Sequence, residues 1–140
     1  TIDKKCYYYN IIMRYLGIDY GAKRVGIAIS DESGKIAFPH AILENKSGLE
    51  NLVKKIGEIT SGKKVGKIIL GESLNYKREA NPIMTEIAKL KARLEEALEL
   101  PVILEPEWLT SAQAARSAEK GEKIDDSAAA LILQTFLDRL

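Results

Sequence analysis

Cysteine and histidine are almost missing from this 140-residue chain, which contains one of each, Cys6 and His40. A disulfide framework, a cysteine-rich zinc site and a Cys–His catalytic pair therefore cannot be built within one chain. A Ser-His-Asp triad would have to use His40, which follows Pro39 in a predicted strand or loop with no nucleophile-elbow motif near it. The scarcity of these two residue types excludes most thiol, imidazole and soft-metal chemistry.

Long hydrophobic runs are also missing. No segment approaches the roughly eighteen apolar residues of a membrane-spanning helix. Residues 1–12 contain Lys4 and Lys5 before a short apolar run, but they lack a small-residue cleavage pattern. We interpret 1–12 as an N-terminal extension and 13–140 as one domain that begins at Met13, and we expect a cytoplasmic protein with no membrane partner. With 46% hydrophobic residues, one domain of this length can bury a proper core.

An excess of charge of either sign is lacking too, because 21 Lys and Arg balance 20 Asp and Glu at a net charge of +1. Any surface that binds nucleic acid must therefore be local rather than a property of the whole molecule. The candidate basic residues are Lys63, Lys64, Lys67, Lys77 and Arg78. On helices such charges often form only a solvated face. What the chain has in quantity is carboxylates.

The segment 15–31 predicts two short apolar strands joined by a tight turn. The apolar run Tyr15–Ile18 is broken by Asp19, and the run after the turn alternates apolar with small residues. Asp19 is thus predicted where the first strand ends, with Lys23 and Arg24 beside it. A carboxylate next to cationic side chains can bind a metal ion while the cations bind a phosphate group. Asp is also a common turn residue, so this segment alone leaves both interpretations open.

Downstream, the hydrophobic periodicity predicts a third strand and then alternating helices and strands. The predicted strands are Ile36–Glu44, Val65–Leu70 and Val102–Leu104, and the predicted helices begin at Leu49, Pro82, Ala112 and Asp125 and end near Gly62, Leu100, Glu119 and Leu140. Three successive strands imply an antiparallel meander, and right-handed crossovers place the later strands parallel to the first. The predicted fold class is therefore α/β, a five-stranded mixed sheet flanked by helices.

Several carboxylates are predicted at one edge of this sheet. Ligands of such sheets gather outside the carboxyl ends of parallel strands, where Asp19, Glu72 and Glu107 each follow a predicted strand. Considered one at a time, each acid also has a purely structural explanation. Glu72 could be a solvated loop acid, Glu107 could pair with a cation, and Asp125 or Asp126 could cap the last helix. Together, carboxylates without histidine suit two-metal phosphoryl transfer, because Mg²⁺ prefers oxygen ligands and two ions about 3.5–4 Å apart stabilise both the attacking and the leaving oxygen.

Three segments resemble one known family. They are GIDYGAKRVGIAISD at 17–31, EWLTS at 107–111 and KIDDSAAALILQ at 123–134. In order and spacing they resemble the YqgF/RuvX family, described as pre-16S rRNA nucleases and as Holliday-junction-resolvase-like, and the resemblance runs from Met13 to the end of the chain. It implies a ribonuclease-H-like three-layer fold and divalent-metal-dependent cleavage of structured nucleic acid, tied to maturation of the 5′ end of 16S ribosomal RNA.

The resemblance also implies roles for individual residues. Asp19 matches the family's first catalytic aspartate. Glu107 matches the acid of its D-E-R-L-S/T segment, and Asp125 matches the aspartate that opens its last helix. Pro106 and Trp108 replace the Asp and Arg that usually flank the matching glutamate. Glu72 stands at the end of the fourth strand, where related resolvases and ribonucleases H keep an acid. The second metal ligand is therefore Glu107, Glu72 or both, with Glu107 favoured by the longer local match.

We accordingly expect an endonuclease that uses Mg²⁺ or Mn²⁺ and acts on pre-16S rRNA or branched DNA as a monomer or homodimer. The expected metal ligands are Asp19, which would bridge two ions, Glu107 and Asp125. Phosphate contacts are expected from Lys23, Arg24, Lys77 and Arg78, and base stacking from Tyr76. The alternatives are a Holliday-junction resolvase in DNA recombination, a non-catalytic nucleic-acid-binding module, and, from the pattern G-I-D-x-G, a domain similar to the ATP-binding actin and Hsp70 fold.

Overall fold

The structure of the chain, a computed structural model, describes residues 13–74, 83–108 and 124–140. Within these residues the chain forms five strands and three helices. The strands are β1 (Arg14–Tyr20), β2 (Arg24–Ser30), β3 (Ala37–Glu44), β4 (Val65–Leu74) and β5 (Val102–Trp108), and the helices are α1 (Leu49–Lys63), α2 (Met84–Leu98) and α3 (Ile124–Leu137). None of these helices is long and apolar enough to span a membrane.

All five strands belong to one sheet, in the order β3-β2-β1-β4-β5. The first three strands pair antiparallel, whereas β4 lies parallel to β1 and β5 lies parallel to β4. This arrangement confirms the predicted mixed sheet with its antiparallel meander and parallel crossovers. β1 is the central strand, and its Leu16 and Ile18 are fully buried.

The two faces of the sheet carry different helices, because successive side chains of a strand point to opposite faces. Helices α1 and α2 cover one face, and α3 covers the other. The first face packs Leu16, Ile18, Ile68 and Leu70 against Leu52, Ile56 and Leu90, and the second packs Ala28 and Ile69 against Ala129, Leu133 and Phe136. The fold therefore has three layers, with a hydrophobic core on each side of the sheet.

Two strands run further than the sequence predicted. Strand β4 continues past Leu70 to Leu74, and β5 continues past Leu104 to Trp108. The two strands pair with each other along this whole length, so the ladder persists through polar residues. Pro106 is tolerated because β5 is an edge strand.

The predicted positions of two acids relative to the strand ends were therefore wrong. Glu72 and Glu107 lie within strands and not in the loops after them, whereas Asp19 is the penultimate residue of β1, close to the predicted strand end. The difference matters for function, because strand alternation now fixes which face of the sheet each of these positions belongs to.

The helix boundaries differ from the prediction by a few residues. The helix predicted from Pro82 to Leu100 spans Met84–Leu98, and the last helix spans Ile124–Leu137 in place of 125–140. The helix predicted from Ala112 to Glu119 lies outside the described residues. Terminal turns are the parts of a helix that periodicity defines least well.

The turn between β2 and β3 is organised by the Asp31 carboxylate. One of its oxygens accepts hydrogen bonds from the backbone N–H groups of Lys35 at 2.8 Å and Ile36 at 3.0 Å, and the other accepts one from the Ser33 hydroxyl. The bond from Ile36 and that from Ser33 are the main causes that lower the pKa of Asp31 to about 2.

Replacing Asp31 should therefore produce a pH-dependent loss of stability. Because its folded-state pKa lies below the ordinary value of 3.8, the carboxylate stabilises the fold above pH 3.8, and this contribution is lost as the pH falls towards about 2. Asp31→Asn should lower the free energy of unfolding at pH 7, with a smaller difference from wild type at pH 2.5. Urea unfolding at both pH values measures this, with the exposed Glu58→Gln as control. A pH-independent difference would contradict the assignment.

Candidate functional site

Asp19 is the penultimate residue of β1 and pairs with Gly26 of β2. Its side chain is half-buried. Alternation along β1 places Asp19 on the same face as Gly17, which lies against α3, whereas Leu16 and Ile18 face α1 and α2. The acid therefore belongs to the α3 face at the carboxyl end of the central strand.

The turn after Asp19 holds two cations at the same edge of the sheet. A Cβ atom on Gly21 would lie 2.5 Å from the Arg24 carbonyl oxygen, so the tight turn needs glycine there. Asn45 fixes the turn from outside, since its side-chain amide donates to the Gly21 carbonyl at 3.0 Å and its backbone N–H donates to the Lys23 carbonyl at 2.9 Å. Lys23 and Arg24 are exposed beside Asp19.

Strand alternation separates Glu72 from Glu107. In β5, Ile103 packs in the α3-side core and Glu105 pairs with Arg139 just beyond α3, so position 107 belongs to the α3 face that also carries Asp19. In β4, Glu72 falls in the series of Ile68 and Leu70, which face α1 and α2. The half-buried Glu72 therefore lies on the opposite face from Asp19, which favours position 107 as the partner of Asp19.

Helix α3 directs its amino-terminal end towards Asp19. The Phe136 ring lies 5.9 Å from that of Tyr15 at the start of β1, whereas Ala129 lies beside Gly17 further along the strand. From Phe136 to Ala129, the helix thus runs towards the carboxyl end of β1. Position 125 continues in this direction, one helical turn before Ala129 and on the same side of the helix. The first turn of α3 therefore approaches the carboxyl end of β1.

Backbone positions 19 and 107 thus belong to the α3 side of the sheet, and position 125 lies in the first turn of α3. That Asp19, Glu107 and Asp125 form one site stays a prediction. Carboxylate oxygens are the donors that a hard divalent cation prefers, so this residue set fits Mg²⁺ or Mn²⁺. Among the side chains that the structure describes, no three potential ligands lie together. The side chains of Glu107, Asp125 and Asp126 are not among them, and the predicted nucleic-acid contacts Tyr76, Lys77 and Arg78 also lie outside the described residues.

A partly buried ion pair between β5 and the residues that follow α3 was missed by the sequence prediction. Glu105 is 1% exposed, and its carboxylate accepts two hydrogen bonds from the Arg139 guanidinium, the one from Nη1 at 2.6 Å. Hydrogen bonding to Glu105 raises the pKa of Arg139. The pair ties β5 to the carboxyl end of α3. No local pattern could have found it, because the partners lie 34 residues apart.

A groove of about 620 Å³ lies at the other end of the sheet and is a separate feature. It is lined by residues that include Arg14, Phe38, His40 and Lys63. The Arg14 guanidinium is already engaged by the Lys63 carbonyl and the Glu32 carboxylate. Partial burial, and next the charge of Lys63, lower the pKa of His40. The groove contains none of the predicted metal ligands.

Solved structures share this fold. The RuvC resolvase of T. thermophilus in complex with a Holliday junction substrate matches with a TM-score of 0.57 and 14% identity, covering 91% of this chain and 96% of the other. The Holliday junction resolvase of fowlpox virus matches with a TM-score of 0.56 and 16% identity, covering 91% of this chain and all of the other. The predicted ribonuclease-H-like architecture is thereby confirmed.

Sequence comparison identifies the family. Relatives named "Putative pre-16S rRNA nuclease" are 37% identical in Caldanaerobacter subterraneus subsp. tengcongensis and 38% identical in Syntrophomonas wolfei subsp. wolfei. The matches cover 90% of this chain in both cases, and 96% and 94% of the relatives. The family model described as RuvX, Holliday junction resolvase, matches residues 13–139. The chain therefore belongs to the RuvX family of nucleases.

Proposed function

We propose that this protein is a metal-dependent endonuclease that hydrolyses phosphodiester bonds in structured nucleic acid during maturation of the 5′ end of pre-16S rRNA, in the cytoplasm. The observation that carries the proposal is the placement of Asp19 at the carboxyl end of the central strand, on the face that α3 covers. Glu107 from β5 and Asp125 from the first turn of α3 would join it there. The names of the relatives support RNA as the substrate.

Three residues would hold the metal in this proposal. Asp19 is carried by the central strand, where it pairs with Gly26 of β2 and directly follows the last residue that pairs with β4, Ile18. Glu107 and Asp125 would complete the donor set from the neighbouring elements. When bound, Mg²⁺ or Mn²⁺ supplies Lewis-acid stabilisation of the charge that develops on the phosphodiester, and the two-metal form of this chemistry is part of the proposal.

The basic residues beside Asp19 would bind the phosphate backbone. Lys23 and Arg24 are exposed on a turn that Gly21 and Asn45 hold in place. Contacts of this kind fix the register of the nucleic acid without reading its sequence. Lys77 and Arg78 would add phosphate contacts, and Tyr76 would stack on an unpaired base.

Lys23→Ala should weaken binding in a salt-dependent way. Loss of one phosphate contact should flatten the slope of log affinity against log salt concentration by about 0.7–0.9. Fluorescence anisotropy with a labelled structured RNA, measured on the inactive Asp19→Asn background, gives this slope. The matched control is Lys54→Ala, an exposed lysine of α1 away from the site. An unchanged slope for Lys23→Ala would contradict its proposed role.

The experiment that tests the proposed function compares two substrates directly. A labelled pre-16S RNA 5′ region and a four-way DNA junction are incubated with the protein and Mg²⁺ or Mn²⁺. We expect metal-dependent cleavage of the RNA that EDTA stops. If neither substrate is cut, the protein is better explained as a nucleic-acid-binding module without catalytic activity.

A Holliday-junction resolvase is the second candidate function, favoured by the description of the matching family model. Junction cleavage needs two symmetrically placed active sites, and therefore a homodimer. Preferential cleavage of the DNA junction, together with a dimeric mass in solution, would select this alternative. Membership of the RuvX family favours both nuclease functions over the ATP-binding interpretation.

A further inference from the structure

Gly17 is the point at which α3 comes closest to the central strand. A Cβ atom built on Gly17 would lie 2.8 Å from the Cβ atom of Leu133 and 3.0 Å from the carbonyl oxygen of Ala129. A carbon–carbon contact is relaxed at about 3.5 Å or more, so an added methyl group would need the helix and the strand to separate by about 0.7 Å. Neither opposing atom can turn away, because both belong to the helix backbone or are attached directly to it.

The part of α3 that follows this contact is held in place. The Gln134 side chain accepts a hydrogen bond from the Ala37 N–H and donates one to the Lys35 carbonyl, both at 2.9 Å. Arg139 pairs with the buried Glu105. These contacts fix the carboxyl-terminal end of α3 to β5 and to residues 35–37.

The amino-terminal end of α3 must therefore absorb any separation. Position 125 lies eight residues before Leu133, or about 12 Å along the helix. If the helix is lifted at Ala129 and Leu133 while Gln134 and Arg139 remain attached, the helix tilts and its first turn moves most. That turn carries Asp125, whereas Asp19 stays in the strand two residues after Gly17.

We propose that Gly17 is a positioning residue, whose missing side chain sets the height of α3 above β1 and thereby the separation of the Asp125 and Asp19 ligands. This inference rests on the proposed function, because it concerns the same metal site. It assigns a functional reason to a glycine in the middle of a strand, where glycine is otherwise unfavourable. Gly17 itself touches neither metal nor substrate.

The test measures Mn²⁺ binding to the folded protein, and not only cleavage. Isothermal titration with Mn²⁺ alone should show Gly17→Ala binding about tenfold or more weakly than wild type. Cleavage should fall about 10- to 100-fold, as expected for a displacement of this size at a reacting centre, and should recover partly at high Mn²⁺. The matched control is Gly57→Ala, whose new Cβ would lie 2.9 Å from the Cδ2 atom of Leu98, the end of a flexible side chain. It should bind Mn²⁺ normally.

Two further variants separate positioning from general loss of stability. Ile56→Val weakens the core on the other face of the sheet and should leave the Mn²⁺ affinity unchanged at a temperature where the variant is folded. Ala129→Val adds bulk to the fully buried core between α3 and the sheet, next to the same contact, and it replaces Gly17→Ala if that variant does not fold. We expect Ala129→Val to weaken Mn²⁺ binding as well.

The outcomes distinguish the inference from the function on which it rests. If wild type binds Mn²⁺ and cleaves nucleic acid while Gly17→Ala and Ala129→Val bind Mn²⁺ as wild type does, the positioning role is wrong and the nuclease stands. If Ile56→Val loses as much affinity as Gly17→Ala, the effect is one of stability and the positioning role is again wrong. If wild type shows neither binding nor cleavage, both proposals fail.

Discussion

Asp19→Asn should reduce metal-dependent cleavage by at least about a thousandfold, which corresponds to about 4 kcal/mol of lost transition-state stabilisation. Asparagine keeps the shape of the side chain but removes the negative charge that would hold a divalent cation. The strand should still form, because β1 is paired on both sides and its core residues Leu16 and Ile18 are unchanged. Single-turnover cleavage of the preferred substrate measures the effect, after circular dichroism has shown that the variant is folded.

Glutamine variants at the other acids extend this test. Glu107→Gln should lose activity, whereas Glu72→Gln should retain it, because Glu72 falls in the strand series that faces α1 and α2. Glu58→Gln, an exposed acid of α1, serves as the control and should cleave as wild type does. Full activity of Asp19→Asn would exclude the proposed catalytic centre, and loss of activity in Glu72→Gln would return that residue to the set of ligands.

Arg139→Ala should lower the free energy of unfolding, because removing one partner of an ion pair leaves the charge of the other partner unpaired. Glu105 is the buried partner, since its side chain is 2% exposed whereas that of Arg139 is 57% exposed. The variant leaves a buried carboxylate without its cation and releases the carboxyl end of α3 from β5. Urea unfolding at neutral pH measures the change.

A double variant separates the ion pair from the packing around it. Glu105→Met combined with Arg139→Leu removes both charges. This double variant should lower the free energy of unfolding by less than Arg139→Ala alone, because no unpaired charge remains buried. Arg139→Lys should lie between wild type and Arg139→Ala, since lysine keeps the charge but not the two-pronged geometry. Equal stability of Arg139→Ala and wild type would show that the pair does not hold α3 in solution.

The order of the elements could be predicted from the sequence because the signals are local. The alternation of apolar and small residues in 25–30 lies within one strand, and the helical periodicity from Ile87 to Leu98 lies within one helix. Once these elements are known, the rules of chain connectivity determine the strand directions in the sheet. The ends of β4 and β5 could not be predicted in this way. Those ends depend on pairing between residues such as Leu74 and Trp108, which are far apart in the chain.

The candidate site shows the same division. Asp19, Lys23 and Arg24 form a local pattern, and the turn predicted between them is observed between β1 and β2. Glu72 was grouped with these residues because the predicted strand stopped at Leu70, which left Glu72 in a loop without a defined face. The observed strand β4 includes Glu72 and places it on the other face of the sheet. Contacts such as that between Gln134 and Ala37 span 97 residues, and sequence periodicity carries no information about them.

The most direct test of the account is a crystal structure of the protein soaked with Mn²⁺ and measured at a wavelength where manganese scatters anomalously. We predict an anomalous peak at the carboxyl end of β1, with carboxylate oxygens of Asp19, Glu107 and Asp125 as ligands and with Glu72 outside the coordination sphere. A peak elsewhere, with the Asp19 carboxylate not in contact with manganese, would contradict the claim that these three acids form the catalytic centre.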